Sequence, residues 1–322
     1  MNIQLIDPKT GRTLTESAEG LSQNGQVIYP YKNGAYRIVE DDNYTQNFGY
    51  QWNKFAGTQV DKMTSLDVSR VRFFEETNWK KADITGLNVL EVGSGAGRFS
   101  QVVLDHSDAN LYSVDYSNAV EANFKNNQNH RDRFRLFQAS VYDLPFAPGQ
   151  FDKVFCLGVL QHTPDFKQSL KCLVDQLKPG GELVVDFYSI NGWWTKICAK
   201  YMLRPITKKW SNQKLLQRIE KNIDWMIKAY FLLHKMKLGA LCRFLPVCDI
   251  KGCSPYKELS KQELRDWCIL DTFDMYSPEH DHPQKVSTVK KWVEEFGINV
   301  TFAGLVNYEE ELSANVVRGI KH

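Results

Sequence analysis

Three glycines spaced two residues apart follow an apolar run in the stretch VLEVGSGAGRF, residues 89–99. A glycine turn between a buried strand and a helix lets the backbone approach a phosphate or nucleoside ligand closely. The dinucleotide-binding fingerprint would place its third glycine at Arg98, one residue after Gly97. No Lys followed by Ser or Thr comes after the glycines, which excludes a phosphate loop. The turn therefore indicates a different nucleoside ligand, held by Gly93, Gly95 and Gly97.

Two acids indicate what kind of nucleoside this is. A carboxylate at Glu91, two residues before the first glycine, would repel a pyrophosphate but suits a ligand with an ammonium and a sulfonium group. Asp115 ends the next predicted strand, where a carboxylate can accept hydrogen bonds from both ribose hydroxyls. The pattern predicts a nucleoside with a cationic tail, and S-adenosylmethionine fits that description.

Candidate catalytic groups occur in two later segments. His162 follows the fourth strand of this region in LGVLQHTPD, where it could act as a general base or simply bond to the loop backbone. The segment DTFDMYSPEHDHP, residues 271–283, contains two histidines, four acids and a tyrosine before the last helix, and we interpret it as a loop. Such a density of titratable groups is typical of a site, although a solvated loop is the alternative. Its candidate catalytic residues are Asp274, His280 and His282, and its candidate substrate contacts are Asp271 and Tyr276.

Aromatic residues after the fifth strand, in YSINGWWTK, are further candidates for substrate binding. Tyr188, Trp193 and Trp194 could stack on a sugar or an aromatic ring. Packing of the tryptophans against neighbouring helices is the alternative.

The elements that must position these groups alternate between strand and helix from residue 87 to 188. The strand candidates are short, apolar and rich in β-formers, as expected for strands covered on both faces: LNVLEV, NLYSVD, FRLFQA, DKVFCLG and ELVVDFY. Helical patterns lie between them, and KPGG is predicted to end the last of these helices and form a turn. This order predicts an α/β fold with a parallel, Rossmann-like sheet. INVTFAGLV and ANVVRGI near the end of the chain supply two more strands.

The motifs EVGSGAGR, VDYS, QASVYDLPF, FDKVFCLGVLQHTPD and LKPGGELVV occur in the order and spacing of the class I S-adenosylmethionine-dependent methyltransferases. The chain resembles that family, in its bacterial small-molecule type, over residues 86–190. The resemblance implies that the glycine turn holds the methionine part of S-adenosylmethionine and that Asp115 holds the ribose. It also implies donor contacts from Tyr116, Val141 and Gly158, and an adenine contact at Ser140, where many members carry Asp.

The first residues carry a second resemblance. DPKTG and YPYKNGAYRIV are similar to a small zinc-binding ribbon found before some bacterial methyltransferases, in which the first motif reads C-P-x-C-G. Asp7 and Thr10 stand where the ribbon has cysteines, and no cysteine precedes Cys156. We therefore expect a degenerate ribbon that holds no zinc.

Five parts are predicted along the chain: a small β lobe (1–43), a helical and aromatic lid segment (44–86), the donor-binding core (87–190), a basic helical insert (191–270) and an acceptor loop with the last strands (271–322). Residues 191–240 contain eleven Lys or Arg and two acids, although the whole chain has a net charge of only +2. The basic excess could be a solvated face, attract an anionic acceptor or contact a membrane surface. The group formed by Cys242, Cys248 and Cys253 could hold a metal, but free cysteines are usually core residues, so no metal is predicted.

Function follows from these parts as an expectation. The resemblance implies methyl transfer to a small polar acceptor, with oxygen favoured over nitrogen or carbon. The alternatives are a lipid-like acceptor at a membrane surface and a non-catalytic cofactor-binding subunit. Nucleic acid is disfavoured because LQHT stands where amino-directed enzymes carry an Asn/Asp-Pro-Pro-aromatic motif. With no apolar run near 18 residues and no signal-peptide pattern, we expect a cytoplasmic protein.

Overall fold

The computed structural model describes residues 3–39, 43–55, 57–64, 66–190, 192–308 and 312–322. Its strands are β1 (Thr15–Glu16), β2 (Gly20–Gln23), β3 (Gln26–Lys32), β4 (Ala35–Arg37), β5 (Asn88–Val92), β6 (Asn110–Asp115), β7 (Phe134–Gln138), β8 (Phe151–Cys156), β9 (Leu177–Phe187), β10 (Ile298–Asn307) and β11 (Ser313–Lys321). The strands form one sheet in the order β1-β2-β3-β4-β7-β6-β5-β8-β9-β11-β10. The run from β4 to β9 is parallel, whereas β11 and β10 pair antiparallel at one end. The predicted Rossmann-like α/β fold is confirmed.

Helices cover both faces of the parallel strands, and a helical unit lies beyond them. The helices are α1 (Gln46–Lys54), α2 (Asp61–Thr64), α3 (Val68–Thr77), α4 (Lys81–Ile84), α5 (Arg98–His106), α6 (Val120–Asn127), α7 (Phe166–Gln176), α8 (Ala199–Thr207), α9 (Asn212–Lys235), α10 (Ile250–Cys253), α11 (Lys261–Tyr276) and α12 (Val286–Glu295). Short 3₁₀ turns lie at Gln128–His130, Leu160–His162, Trp193–Lys196 and Gly239–Phe244. None of the helices within these described ranges is long and apolar enough to cross a membrane.

The core consists of separate apolar clusters. The central strands are buried almost throughout, because helices lie on both of their faces. A third cluster lies within the helical unit, where α9 buries Leu215, Ile219 and Ile223 and α11 buries Ile269 and Phe273. Leu215, Ile219 and Ile223 are spaced four residues apart, so they lie on one face of α9, and that face is the one that packs.

The first strands continue the main sheet instead of forming the separate lobe that the sequence suggested. Tyr36 and Arg37 of β4 pair in parallel with Phe137 and Gln138 of β7. This pairing covers the edge of β7, whose backbone groups would otherwise remain unpaired. In DPKTG, the motif that is similar to part of a zinc ribbon, the Thr10 hydroxyl donates a hydrogen bond to the Asp7 carboxylate at 2.7 Å.

Two local predictions were wrong. KPGG does not form a turn but belongs to β9, where Gly180 at φ +77° accompanies a shift in register against β8. The segment interpreted as a loop begins inside α11, which extends to Tyr276. Pro278 and Pro283 lie in the loop that follows Tyr276, whereas the helix starts well upstream at a Ser260–Glu263 capping box. Residue 191, where the helical insert was predicted to begin, lies outside the described residues.

Candidate functional site

A cavity of about 560 Å³ opens at the carboxyl ends of β5, β6, β8 and β9, beneath α1 and α11. One part of it is walled by the glycine turn, and another by side chains of the helical unit. A cavity at this edge of a parallel sheet is where α/β proteins bind ligands.

The glycine turn adopts backbone conformations that side chains rarely allow. Gly93, Gly95 and Gly97 have φ of 86°, 52° and 84°. A Cβ at Gly93 would lie 2.2 Å from the Val159 side chain, and one at Gly97 would lie 2.2 Å from Asn123. Gly93 and Gly95 line the cavity, whereas Gly97 lies behind it, where it allows α5 to start against α6. The turn therefore presents a close backbone surface to a ligand.

Asp115 lies at the end of β6 and lines the cavity. Its Oδ2 accepts the Gly95 amide at 2.7 Å, and its Oδ1 accepts the Ser117 amide and hydroxyl at 2.8 and 2.6 Å. A carboxylate has about four acceptor positions, so Oδ2 keeps one for a ligand hydroxyl. Burial raises the pKa of Asp115, while the Ser117 and Gly95 donors lower it.

The Glu91 carboxylate is not at the cavity, contrary to the predicted contact with the ligand tail. It is buried beneath the turn, where the hydroxyls of Ser100 and Ser113 both donate to its Oε2. Glu91 belongs to the strand interior, and strand residues alternate between faces, so a position two residues before a glycine does not ensure access to the turn. Burial raises the pKa of Glu91 to about 7, opposed by the serine hydrogen bonds.

Glu91→Gln is expected to change how stability depends on pH. Glu91 has a pKa of about 7 in the folded chain and near 4.3 when unfolded, so the folded state holds the proton longer as pH rises. Stability conferred by this group is complete below about pH 4 and is lost up to about pH 7, a change of about 3 kcal/mol. Glutamine does not titrate, so the variant does not lose this stability as pH rises. The free energy of unfolding of Glu91→Gln minus that of the wild type, measured by urea titration, should therefore increase by about 3 kcal/mol between pH 4.5 and 8. A pH-independent difference would contradict this.

The cavity wall also contains Tyr116, Val141 and Gly158, which are predicted donor contacts. Tyr44 packs against Tyr116 with ring centroids 5.1 Å apart. Ser140 does not line the cavity, because its hydroxyl turns back to accept the Tyr142 amide at 3.2 Å. The predicted adenine contact at Ser140 is therefore not seen.

His162 lines the cavity and is 6% exposed. Its Nδ1 lies 3.1 Å from the carbonyl oxygen of His280, and a carbonyl can only accept, so Nδ1 carries the proton of the neutral ring. Nε2 then holds the free lone pair and has no hydrogen-bond partner among the described residues. Burial lowers the pKa of His162, opposed by the nearby Asp274 carboxylate. The ring is arranged as a neutral base.

Asp274 lies on α11 beside His162, with its Oδ2 3.9 Å from Nε2. The Tyr188 hydroxyl donates to the same carboxylate at 3.2 Å, and Tyr188 also packs edge-on against the His162 ring. Lys200 lies over the Tyr188 ring and bonds to the Asp281 carboxylate at 3.0 Å. These groups place a base, a carboxylate and a phenol on one wall of the cavity.

Five of the predicted catalytic and substrate-binding residues do not line the cavity. His280 supplies its backbone carbonyl, and the rings of His280 and His282 stack on each other at 5.8 Å. Trp193 and Trp194 lie on the surface, 77% and 50% exposed, and Tyr276 is buried in the helical core. Because α11 extends through Tyr276, only part of its surface faces the site, and the α11 residues that line the cavity are Asp271, Asp274 and Met275.

An ion-pair network under the cavity had no sequence signal. Arg72 on α3 pairs with Glu76 at 2.7 Å and with Asp186 at 2.5 Å, and Asp186 also accepts the Gly158 amide. Burial raises the pKa of Glu76 to about 8 despite the Arg72 charge. The network fixes the backbone of Gly158. Arg72 and Glu76 lie four residues apart on one helix, but Asp186 is 114 residues from Arg72, a separation that local spacing cannot pair.

The α1 segment also supplies cavity side chains, including Phe48, Gln51 and Trp52. The Trp52 indole lies over Gly95, and Phe48 packs against the His162 ring at 5.2 Å. The sequence predicted segment 44–86 as a lid because it is rich in aromatic residues, but it identified no single residue there as part of the site.

Comparisons with known proteins identify the proteins that this chain resembles. Residues 90–185 match the family model described as Methyltransferase domain. A tRNA U34 carboxymethyltransferase of Nautilia profundicola is 26% identical over 79% of this chain and 73% of its own length. A fatty-acid O-methyltransferase of Mycolicibacterium smegmatis is 27% identical over 63% of this chain and 74% of its own. A magnesium protoporphyrin IX methyltransferase of Synechocystis, solved with bound SAH, has 14% identity and a TM-score of 0.43, with 88% and 90% of the two chains covered.

Proposed function

This chain belongs to the class I S-adenosylmethionine-dependent methyltransferases, and we propose on that premise that it methylates an oxygen atom of a small polar acceptor. The residues at the glycine turn fit the donor. Gly93 and Gly95 offer a backbone surface without side chains, Asp115 keeps one acceptor position for a ribose hydroxyl, and Tyr116 and Val141 wall the adenine side. When bound, S-adenosylmethionine supplies a methyl group activated by its sulfonium.

The observation that carries the proposal is the unpartnered Nε2 of His162, a buried ring nitrogen of a residue that lines the same cavity, so the acceptor must reach it through the cavity wall. An acceptor hydroxyl that donates to Nε2 would pass its proton there as its oxygen attacks the methyl group. The Asp274 carboxylate, 3.9 Å away, would stabilise the resulting imidazolium. An amine acceptor would also need to lose a proton, but Lys200, which has three N–H donors and gives one to Asp281, favours an acceptor that carries oxygen atoms.

The test is a search for the acceptor. Purified protein and labelled S-adenosylmethionine are added to fractionated cell extract that includes small molecules, lipids and total RNA as separate fractions. The proposal is supported if the label appears in a small polar compound as the methyl group of a methyl ether or methyl ester. One relative is named for tRNA U34, so label in the RNA fraction would overturn it. Donor binding without turnover in every fraction would favour a non-catalytic subunit.

A lipid-like acceptor at a membrane surface is the second candidate. Around α8, large apolar side chains are exposed: Trp193, Trp194, Ile197, Met202 and Ile206. Arg243 joins this surface to the Gly239–Phe244 turn by donating to the Trp194 carbonyl. Apolar residues mixed with Lys and Arg are typical of membrane-surface contacts. Flotation with vesicles with and without anionic lipid separates the two candidates, since only the second requires lipid binding.

Asp115→Ala is expected to weaken binding of S-adenosylhomocysteine by about 1.5–3 kcal/mol, because a hydrogen bond to a charged group is lost. The Gly95 amide loses its partner as well, so some loss of stability should accompany it. Calorimetric titration measures the affinity, and Asp143→Ala, an exposed acid in the loop after β7, is the matched control. Unchanged affinity in Asp115→Ala would exclude Asp115 from donor binding.

A further inference from the structure

Two cysteines and an aspartate meet at the wall of the cavity. One ligand atom from each of Cys248, Cys253 and Asp271 lies within 4.8 Å of the others. This is the one group of this kind within the described ranges, and all three residues line the cavity. Cys242, which the sequence grouped with them, lies apart, and its thiol faces the Tyr230 carbonyl at 3.7 Å.

Neighbouring side chains hold all three residues in place. The Cys248 amide donates to the Thr272 hydroxyl at 3.1 Å, and the Trp267 indole donates to the Cys253 carbonyl at 3.1 Å. Gln59 donates to Asp271 Oδ1 at 3.1 Å. Orientation of metal ligands by such outer hydrogen bonds is a regular property of metal sites.

The three side chains also contact one another. The Cys253 thiol hydrogen-bonds to Asp271 and to Cys248. When a divalent cation binds, thiol and carboxyl groups in contact can release their protons together, and the cation takes the place of those protons.

We propose that Cys248, Cys253 and Asp271 form a binding site for Zn²⁺, with a fourth coordination position open to the cavity. Thiolate sulfur and carboxylate oxygen are zinc ligands, and three protein ligands with one open position are typical of catalytic zinc. Tetrahedral coordination at Zn–S distances of about 2.3 Å separates ligand atoms by about 3.8 Å. Contraction from 4.8 Å therefore needs movements of about 1 Å or less, which side-chain rotation can supply.

The open position suggests what the metal binds. It faces the cavity that also contains His162 and Asp274. An acceptor oxygen bound to zinc would lose its proton more readily, as zinc-bound water does. This role rests on the proposed function, whereas metal binding itself does not, and the experiment measures binding without turnover.

The experiment uses the purified full chain, stripped with a chelator and titrated with Co²⁺ as a zinc substitute. We expect one equivalent of Co²⁺ to bind with thiolate-to-cobalt charge-transfer absorption, and Zn²⁺ to displace it. Azide, which binds open metal positions, should then change the visible cobalt bands. Absence of charge-transfer absorption would overturn the site, and a spectrum unaffected by azide would overturn the open position.

Variants test the ligands one at a time. Cys248→Ser, Cys253→Ser and Asp271→Asn should each weaken Co²⁺ binding at least tenfold, and the two serine variants should also reduce the charge-transfer intensity. Cys242→Ser, a buried cysteine of the same helical unit outside the cluster, should bind like the wild type. Asp271→Asn retains both thiols, so it remains informative if a serine variant does not fold. Equal binding by Cys242→Ser and all three ligand variants would overturn the assignment.

Discussion

His162→Gln is expected to lower kcat by about 10²- to 10⁴-fold, the range for loss of a general base. Glutamine can still donate to the His280 carbonyl, so the loop should keep its position while the basic Nε2 is lost. Donor affinity should change little, because the proposed donor contacts are the glycine turn and Asp115, not His162. The measurement compares kcat and the dissociation constant of S-adenosylhomocysteine between variant and wild type.

His130→Gln is the control for this substitution. His130 bonds to Asp105 at 2.9 Å outside the cavity, so the same chemical change there should leave kcat unaltered. His282→Gln tests the corrected assignment, because the His282 ring does not line the cavity. A larger loss in His282→Gln than in His162→Gln would show that the base has been misassigned.

The pH profile supplies an independent test of the same base. Burial lowers the pKa of His162, and only the neutral ring can accept a proton, so activity should persist below pH 6.5 before it falls. The Asp274 carboxylate raises this pKa, so Asp274→Asn should shift the acidic limb to still lower pH. An acidic limb above pH 6.5 would contradict a buried neutral histidine as the base.

Gly95→Val is expected to abolish donor binding. Gly95 has φ +52°, which a β-branched residue rarely adopts, and a Cβ there would lie 3.1 Å from the Trp52 indole nitrogen. The Gly95 amide also donates to Asp115, so displacement of the turn would disturb the ribose acceptor at the same time. Calorimetric titration with S-adenosylhomocysteine should show no measurable heat of binding.

Gly86→Val separates backbone strain from the loss of the ligand surface. Gly86 has φ +75°, but a Cβ there would meet nothing within 4 Å, and the residue lies outside the cavity. This variant should lose stability and keep its donor affinity. Equal loss of affinity in both variants would mean that strain alone, and not the space above Gly95, determines binding.

The parallel sheet was predictable because each of its strands is a short apolar run between helical patterns. The strands β5 to β9 follow the predicted runs, as do β10 and β11. Strand order was not encoded in these local patterns. The pairing of β4 with β7 joins residues about 100 positions apart. The alternation of apolar and polar residues along a strand shows which face is buried, but it does not specify which strand lies next to it.

The donor side of the site was more predictable than the acceptor side. Gly93, Gly95 and Asp115 were found because turn conformation and strand ends are local properties. Glu91 was misplaced because access to the turn depends on which face a strand residue occupies. His162 was identified by its position after β8, but its lone pair at Nε2 depends on a carbonyl 118 residues away.

The position of β11 has a consequence for the order in which the protein can fold during synthesis. β11 lies between β9 and β10, and it pairs with both. Roughly 125 residues separate the end of β9 from the start of β11. At translation rates of about 5–20 residues per second, the free edge of β9 stays exposed for about 6–25 s on the ribosome. During that interval β9 offers the nascent chain an unpaired strand edge, the form in which apolar strands of neighbouring nascent chains associate.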